Sequence, residues 1–169
     1  CSSDLFVRFA WQTSLMATWL NLTAIAVAGA LGSVSRYLIT VAAAAVPGGS
    51  SMLGTTLANV LGCAAIGALG EYSLLDDAIG ERTKLAIRVG YLGGLTTFST
   101  FAAESSLMAG SDRWGAAMVY VAANLVVGWS VLFASAALVR GIEPDYEAAV
   151  SDVNTSMISG SLGDLQSGV

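Results

Sequence analysis

Four long apolar stretches, separated by short polar breaks, set the pattern of this sequence. Each stretch reaches the length of about 20 residues that an α-helix needs to cross roughly 30 Å of hydrocarbon. The breaks are too short to fold as extra domains. The apolar stretches are residues 20–46, 53–75, 85–108 and 114–139, and the breaks are residues 47–51, 76–84 and 109–113. The pattern predicts an all-α membrane protein with four transmembrane helices.

The composition supports a membrane protein and limits its chemistry. Hydrophobic residues make up 55% and charged residues 11% of the chain, whereas a soluble domain carries about 25% charged residues. The sequence has no histidine and no Gly-x-Ser-x-Gly nucleophile motif, so hydrolytic catalysis is poorly supplied. Cys63 lies among small residues and is interpreted as a buried apolar thiol. The residues therefore give little support for a hydrolytic enzyme.

The third stretch contains a segment, residues 93–101, that is poorly suited to a transmembrane helix. Two glycines, three threonines and a serine lower its helix propensity. The centre of the stretch falls between Thr96 and Thr97, which puts the irregular backbone at the bilayer midplane. Free backbone groups are tolerated there only when protein, an ion or a polar cavity binds them. Freed carbonyls could bind a cation, and the hydroxyls of Thr97, Ser99 and Thr100 could bind backbone groups or an anion.

Two pairs of polar residues occur at helical spacing in other stretches. Thr55 and Asn59 are four residues apart in the second stretch, and Tyr120 and Asn124 are four apart in the fourth. Each pair lies on one helix face. One interpretation is that they form interhelical hydrogen bonds that hold the bundle together. The other is that they line a polar path, which the irregular third stretch favours.

Four further residues each have two interpretations. Phe98 and Phe101 are three residues apart, so they lie on nearly one face, either packing against lipid and core or turning their positive ring edges to an anion. Glu104 is either a proton-carrying carboxylate or a group at a helix end, near water or paired with a base. Arg36 either extends to the membrane interface, which is the default for a long basic side chain, or presents its charge at a pore mouth.

These motifs resemble the Fluc (CrcB) family of fluoride ion channels across residues 22–139. The motifs are GALGSVSRY at 29–37, GTTLANVLG at 54–62, GYLGGLTTFSTF at 90–101 with Glu104, and the small-residue fourth stretch. The resemblance implies a fluoride-selective channel in the plasma membrane that exports cytoplasmic fluoride passively and relieves fluoride toxicity. It therefore predicts that the protein is not an enzyme. It also implies a third helix broken at the midplane and a dimer of two oppositely oriented subunits with two pores.

The resemblance further implies roles for particular residues. Backbone carbonyls of Gly93 and Thr96 match those that hold a structural sodium ion (Na+) at the dimer centre. The matched pore residues are Phe98, Phe101, Asn59, Tyr120 and Asn124, to which we add the nearby hydroxyls of Ser99 and Thr100; Arg36, Thr55 and Glu104 are further candidates. The polar track of the family often continues with a hydroxyl residue where this chain has Gly128, so the far end of the track departs from the family pattern.

The basic residues bear on orientation and assembly. The predicted topology puts Arg82, Lys84, Arg88, Arg140 and, if it is translated, Arg8 on one side of the membrane, and Arg113 on the other. This bias favours both termini in the cytoplasm. A subunit that inserts both ways should show little bias, so a heterodimer with an oppositely oriented paralogue stands beside the homodimer as an alternative.

Three regions and two rival functions complete the predictions. The channel domain is predicted at 20–139, and residues 140–169 form an acidic, polar tail predicted to be disordered. Residues 1–19 form an N-terminal tail for which two alternatives stay open: translation begins at Met16, or the tail is an amphipathic interfacial segment. The rival functions are a proton-coupled fluoride transporter that uses Glu104 and a non-conducting membrane scaffold subunit.

Overall fold

The computed structural model describes residues 2–75 and 79–142 together with Ser151 and Thr155, with side chains described from residue 16 onward except for 73–75. From residue 143 the predicted acidic tail lies outside the described residues, apart from those two positions. Its predicted disorder and the alternatives for residues 1–19 therefore stay predictions.

Every element in the described part of the chain is helical, as predicted, and no strand occurs there. Two segments are π-helical, with a wider turn than an α-helix. The elements in chain order are α1 (Ser2–Ala45), α2 (Ser51–Leu75), α3 (Glu81–Leu85), π1 (Ala86–Leu92), α4 (Gly93–Leu95), α5 (Phe98–Gly110), α6 (Trp114–Ala122), π2 (Ala123–Val127) and α7 (Gly128–Ile142).

Three helical stretches in the described residues are long and apolar enough to cross a membrane. They are Met16–Ala45, Ser51–Tyr72 and Trp114–Ile142, and they correspond to the first, second and fourth apolar stretches of the sequence. The third stretch is divided among α3, π1, α4 and α5. Its glycines and threonines explain the division, because they disfavour a continuous α-helix.

The helices pack closely where small residues allow it. α2 lies against α7 and α1, while π1 and α4 lie against α1. A β-carbon at Gly32 of α1 would clash with the carbonyl oxygen of Tyr91, and one at Gly62 of α2 would clash with the side chain of Thr96. Glycine at these two positions therefore lets α1 and α2 approach the third stretch, as expected where lipid supplies no hydrophobic drive for helix association.

The buried core is small and lies around the third stretch. One cluster contains Ala58, Leu92 and Leu95, and a second contains Phe101, Met108, Ala117 and Tyr120. Large apolar side chains elsewhere, such as those of Leu31 and Val119, are exposed. Exposed apolar side chains suit helices whose surroundings are lipid rather than water.

Candidate functional site

The α-helix of the third stretch stops at Leu95 and resumes at Phe98. Thr96 and Thr97 between them have extended backbones, with φ −81° and ψ 154° for Thr96 and φ −149° and ψ 118° for Thr97. Thr97 is the N-cap of α5, because its hydroxyl accepts a hydrogen bond from the Thr100 amide at 3.2 Å. The two-residue interruption, which we call the Thr96–Thr97 break, is the centre of the site.

Asn59 of α2 binds both backbone groups of Thr97. Its Oδ1 accepts a hydrogen bond from the Thr97 amide at 2.8 Å, and its Nδ2 donates to the Thr97 carbonyl at 3.3 Å. An extended residue inside a helix takes its amide away from the helical acceptor, and an unpaired amide in an apolar environment is costly. One carboxamide side chain binds this amide and also reaches the carbonyl, so Asn59 stabilises the break.

A chain of hydrogen bonds links Asn59 to the fourth stretch. Its Nδ2 also donates to Oδ1 of Asn124 at 3.0 Å. Asn124 in turn donates from Nδ2 to the Thr56 hydroxyl at 3.1 Å and to the Tyr120 carbonyl at 3.0 Å. Asn124 belongs to π2, where the backbone departs from α-helical geometry. The network therefore connects α2, the break and the fourth stretch through buried and half-buried polar groups.

The break also changes the partners of three carbonyls. In an unbroken helix the amide of Thr97 would donate to the carbonyl of Gly93, and the amide of Thr100 would donate to the carbonyl of Thr96. Those amides donate instead to the side chains of Asn59 and Thr97. The carbonyls of Gly93 and Thr96 are thus without their usual helical donors, whereas the Gly94 carbonyl accepts a hydrogen bond from Arg36 Nε at 3.2 Å.

The bond from Arg36 corrects the default interpretation that this side chain extends to the membrane interface. Arg36 is half-buried, and its Nε turns inward to the break. The physical reason is that a carbonyl without a helical donor is a strong acceptor, and a charged donor makes a stronger bond than a neutral one. The sequence could not show that α1 passes the break at this residue.

The two phenylalanines occupy different environments. The rings of Phe98 and Phe101 meet edge to face, with centroids 5.6 Å apart, and Phe101 is in turn 5.7 Å from Tyr120. Phe101 is 6% exposed and belongs to the core, whereas Phe98 is 76% exposed. Phe98 is therefore available to a second molecule or to lipid, while Phe101 supports it from behind.

Glu104 is bonded to a tyrosine. Its Oε2 accepts a hydrogen bond from the Tyr120 hydroxyl at 2.5 Å, and within the described residues it forms no ion pair. In the described residues the partner of Glu104 is thus a tyrosine and not a base, while its predicted roles as a proton carrier or as a group near water stay predictions. The tyrosine partner is set by the contact between α5 and α6, which sequence spacing does not give.

A cavity of about 390 Å³ opens beside the break. Polar groups of the network form one part of its lining and apolar side chains form the rest. The lining residues used below are Asn59, Arg88, Gly93, Thr96, Phe98, Phe101, Asn124 and Trp129. The cavity thus brings together side chains from α2, the third stretch and the fourth stretch.

Comparison of the sequence with known proteins shows the family of this chain. The family described as CrcB-like protein, Camphor Resistance (CrcB), matches residues 23–136, which contain the break and its whole network. The chain belongs to the CrcB family. It is 39% identical to the fluoride-specific ion channel FluC of Rhodopirellula baltica over 137 residues, which cover 71% of this chain and 94% of that protein. It is also similar to a FluC of Caulobacter vibrioides, with 36% identity over 123 residues that cover 72% of this chain and 97% of that protein.

The structure of this CrcB-family chain brings most of the predicted site residues to the break but gives some of them local bonds. The Ser99 and Thr100 hydroxyls lie 3.3 Å and 3.1 Å from the Thr97 hydroxyl, within the cap of α5. Thr55 is buried and donates to the Ser51 carbonyl of its own helix at 3.2 Å. Tyr120 binds Glu104 and lies outside the cavity lining. Their roles in a pore stay predictions.

The sequence-based predictions did not include two features of this CrcB-family site. Thr56, rather than its neighbour Thr55, joins the network through Asn124; its spacing of three residues from Asn59 was the available signal. The other feature is at Gly128, where a β-carbon would lie 3.3 Å from Sγ of Cys63. The thiol of Cys63 therefore lies beside the position at which the polar track departs from the family pattern.

Proposed function

We propose that the protein is a fluoride-selective channel that lets cytoplasmic fluoride leave the cell passively and so relieves fluoride toxicity. The observation that carries the proposal is the Thr96–Thr97 break, braced by Asn59, in a chain whose relatives are named fluoride-specific ion channels. Membership of a channel family agrees with the prediction that the chain is not an enzyme. The plasma membrane is the proposed location, since export to the exterior requires it.

The proposed path runs past the cavity beside the break. Phe98 and Phe101 can turn the positive edges of their rings to an anion that has lost part of its water. Asn59 and Asn124 line the same cavity, and both N–H groups of each are held within the hydrogen-bond network, so these side chains fix the shape of the wall. A route lined by ring edges and fixed polar side chains favours a small anion that can be stripped of water in a narrow space. The Ser99, Thr100 and Tyr120 hydroxyls extend the proposed path.

The third stretch is also proposed to cross the membrane, which brings the number of transmembrane segments to four. Its break is proposed to lie at the midplane. Support comes from its packing against α1 and α2 and from the buried side chains of Leu92 and Leu95. Support also comes from the backbone bonding, because Asn59, Thr97 and Arg36 satisfy groups that an irregular segment would otherwise expose to lipid.

A sodium ion is proposed at the carbonyls of Gly93 and Thr96. The donor set fits, since both carbonyls are without their helical donors and both residues line the open cavity. Unwound carbonyls inside a membrane are suitable ligands for this hard cation. When bound, the ion would supply positive charge and join two subunits. Two carbonyls from one chain are too few for a closed site, so a second chain would complete it.

The proposed assembly is a dimer of oppositely oriented subunits. The exposed Phe98 ring and the open cavity beside it support a partner at this face. A homodimer and a heterodimer with an oppositely oriented paralogue both fit these features.

Neither rival function is favoured by the site: Glu104 is held by Tyr120, and the relatives are named as ion channels.

Efflux from liposomes tests the proposed function. Purified protein is reconstituted into vesicles that hold potassium together with sodium fluoride or sodium chloride. A potassium ionophore is then added so that potassium leaves with the anion and balances its charge, and release of each anion is followed with an ion-selective electrode. We expect fast fluoride release and chloride release close to that of protein-free vesicles. Equal release of both anions, or no release of fluoride in sodium buffer, would overturn the proposal.

A further inference from the structure

Arg88 brings an exposed positive charge to the cavity beside the break. Arg88 is exposed and lines the same cavity as Asn59, Phe98 and Asn124. The sequence analysis used Arg88 only as one of the bases that favour an orientation. A charged group inside a membrane segment is costly unless it meets water, protein or an opposite charge. Its position on the cavity therefore indicates a use for the charge.

The register of π1 explains why Arg88 reaches this cavity. In an α-helix, residues five apart point in directions about 140° apart, so Arg88 and Gly93 would face different sides. In a π-helix the hydrogen bond joins residues five apart, which brings such residues to one side. A β-carbon at Gly93 would lie 4.0 Å from the Arg88 carbonyl oxygen, and both residues line the cavity. The π-helical turn thus puts the arginine on the face of the break.

No carboxylate in the described part of the chain neutralises Arg88. Described acidic side chains near the ends and centre of the bundle bind other groups. The pairs are Glu81 with Lys84 at 3.1 Å, Glu71 with Arg140 at 2.9 Å and Glu104 with Tyr120 at 2.5 Å. The remaining described acid with a described side chain, Asp112, belongs to the loop after α5. The charge of Arg88 is consequently available to an anion in the cavity.

We propose that Arg88 concentrates anions in this cavity and so sets how fast fluoride reaches the pore residues. The inference rests on the proposed fluoride channel and adds to it a residue that controls access. The attraction acts through charge, so small monovalent anions other than fluoride are concentrated as well, and selection is left to the residues beyond. A unit charge about 7 Å away in water raises the local concentration of a monovalent anion about threefold.

The first test compares fluoride efflux at two ionic strengths set with an impermeant salt. At about 0.01 M the charge acts over about 30 Å, and at about 1 M over about 3 Å. We expect Arg88→Gln to slow efflux about threefold at low ionic strength and to match the wild type at high ionic strength. Arg88→Lys keeps the positive charge, so we expect it to keep the wild-type rate of fluoride efflux. Arg82→Gln is the comparison variant: it removes a positive charge that binds Asn21 and does not line the cavity, so it should slow efflux less than Arg88→Gln does.

The second test needs no flux. Trp129 lines the cavity, so its fluorescence reports anions there. In a chain that keeps only Trp129, we expect Arg88→Gln to lower quenching by iodide and to leave quenching by neutral acrylamide unchanged. The substitutions that isolate it are Trp11→Phe, Trp19→Phe and Trp114→Phe.

The outcomes separate the inference from the proposed function. A wild type that releases no fluoride overturns the channel, while the iodide measurement still decides for or against Arg88. Unchanged iodide quenching in Arg88→Gln overturns the inference, and this is the result expected if the guanidinium instead binds a lipid phosphate. A loss of efflux that is equal at both ionic strengths and is not restored by Arg88→Lys also overturns it.

Discussion

At the scale of single residues, the site depends on Asn59 more than on any hydroxyl group. One carboxamide binds the amide and the carbonyl of Thr97 and also reaches Asn124. The hydroxyls of Ser99 and Thr100, by contrast, are bound within the cap of α5. The residue that permits an irregular backbone in an apolar setting therefore comes from another helix.

Replacing Asn59 with alanine should destabilise the protein. The change leaves the buried amide of Thr97 without its hydrogen-bond acceptor, which costs about 1–3 kcal/mol. Thermal unfolding in detergent, followed by loss of the size-exclusion peak, measures the effect. Asn21→Ala is the control, since Asn21 binds the exposed side chain of Arg82, and it should leave the midpoint nearly unchanged. An equal midpoint in both variants would contradict the assigned role.

Replacing Phe98 with isoleucine should separate function from stability. The ring is 76% exposed in the single chain, so its loss removes little packing within the subunit. Fluoride efflux should nevertheless fall about tenfold or more, as expected if an interaction of about 1.4 kcal/mol or more with the ion is lost. Unchanged efflux with an unchanged unfolding midpoint would exclude Phe98 from the path. Phe101→Ala, by comparison, should destabilise the core by about 3–5 kcal/mol.

At the scale of elements, the structure assembles an interrupted helix from short pieces held by their neighbours. π1 precedes the break and π2 carries Asn124 on the opposite side of the network. α1 supports the break through the contact of Gly32 with Tyr91 and through the bond from Arg36 to Gly94. The break is therefore a product of packing as much as of its own sequence.

Gly32→Ala should disturb this support. The added methyl group would clash with the backbone of Tyr91 and Leu95, and overpacking of this kind costs about 1–3 kcal/mol. Gly115→Ala is the matched control, because a β-carbon there meets nothing within 4 Å. A lower unfolding midpoint and slower efflux are expected for Gly32→Ala alone. Equal behaviour of both variants would show that α1 does not support the break.

The elements also show what sequence could and could not predict. Hydropathy located three long apolar helices, and the glycines and threonines of 93–101 located the irregular segment. The wider turns of π1 and π2 had no signal in composition, because they arise from how helices fit together. Likewise, the partners of Arg36, Glu104 and Thr56 depend on which turns of different helices meet.

At the scale of the whole molecule, one chain presents an incomplete site. The cavity opens beside an exposed Phe98, and the proposed sodium site has two carbonyls from this chain. The basic residues favour one orientation, whereas the proposed pair has one subunit in each orientation. The stoichiometry of the assembly is therefore part of the functional account.

The mass of the purified assembly decides between the two pairings. Expressed alone, the chain is expected to run as a homodimer of twice 17.2 kDa, and native mass spectrometry from detergent measures it. A stable homodimer would exclude an obligatory partner. A monomer that dimerises only after co-expression with an oppositely oriented paralogue would establish the heterodimer instead.

The central claim is passive, fluoride-selective conduction, and the reversal potential tests it most directly. Purified protein in a planar bilayer is held under a sodium fluoride gradient with equal chloride on both sides, and the potential of zero current is measured with and without a pH difference. We expect reversal at the equilibrium potential of fluoride, unaffected by pH. Reversal set by chloride or sodium, or one that moves with the pH difference as a proton-coupled transporter requires, would contradict it.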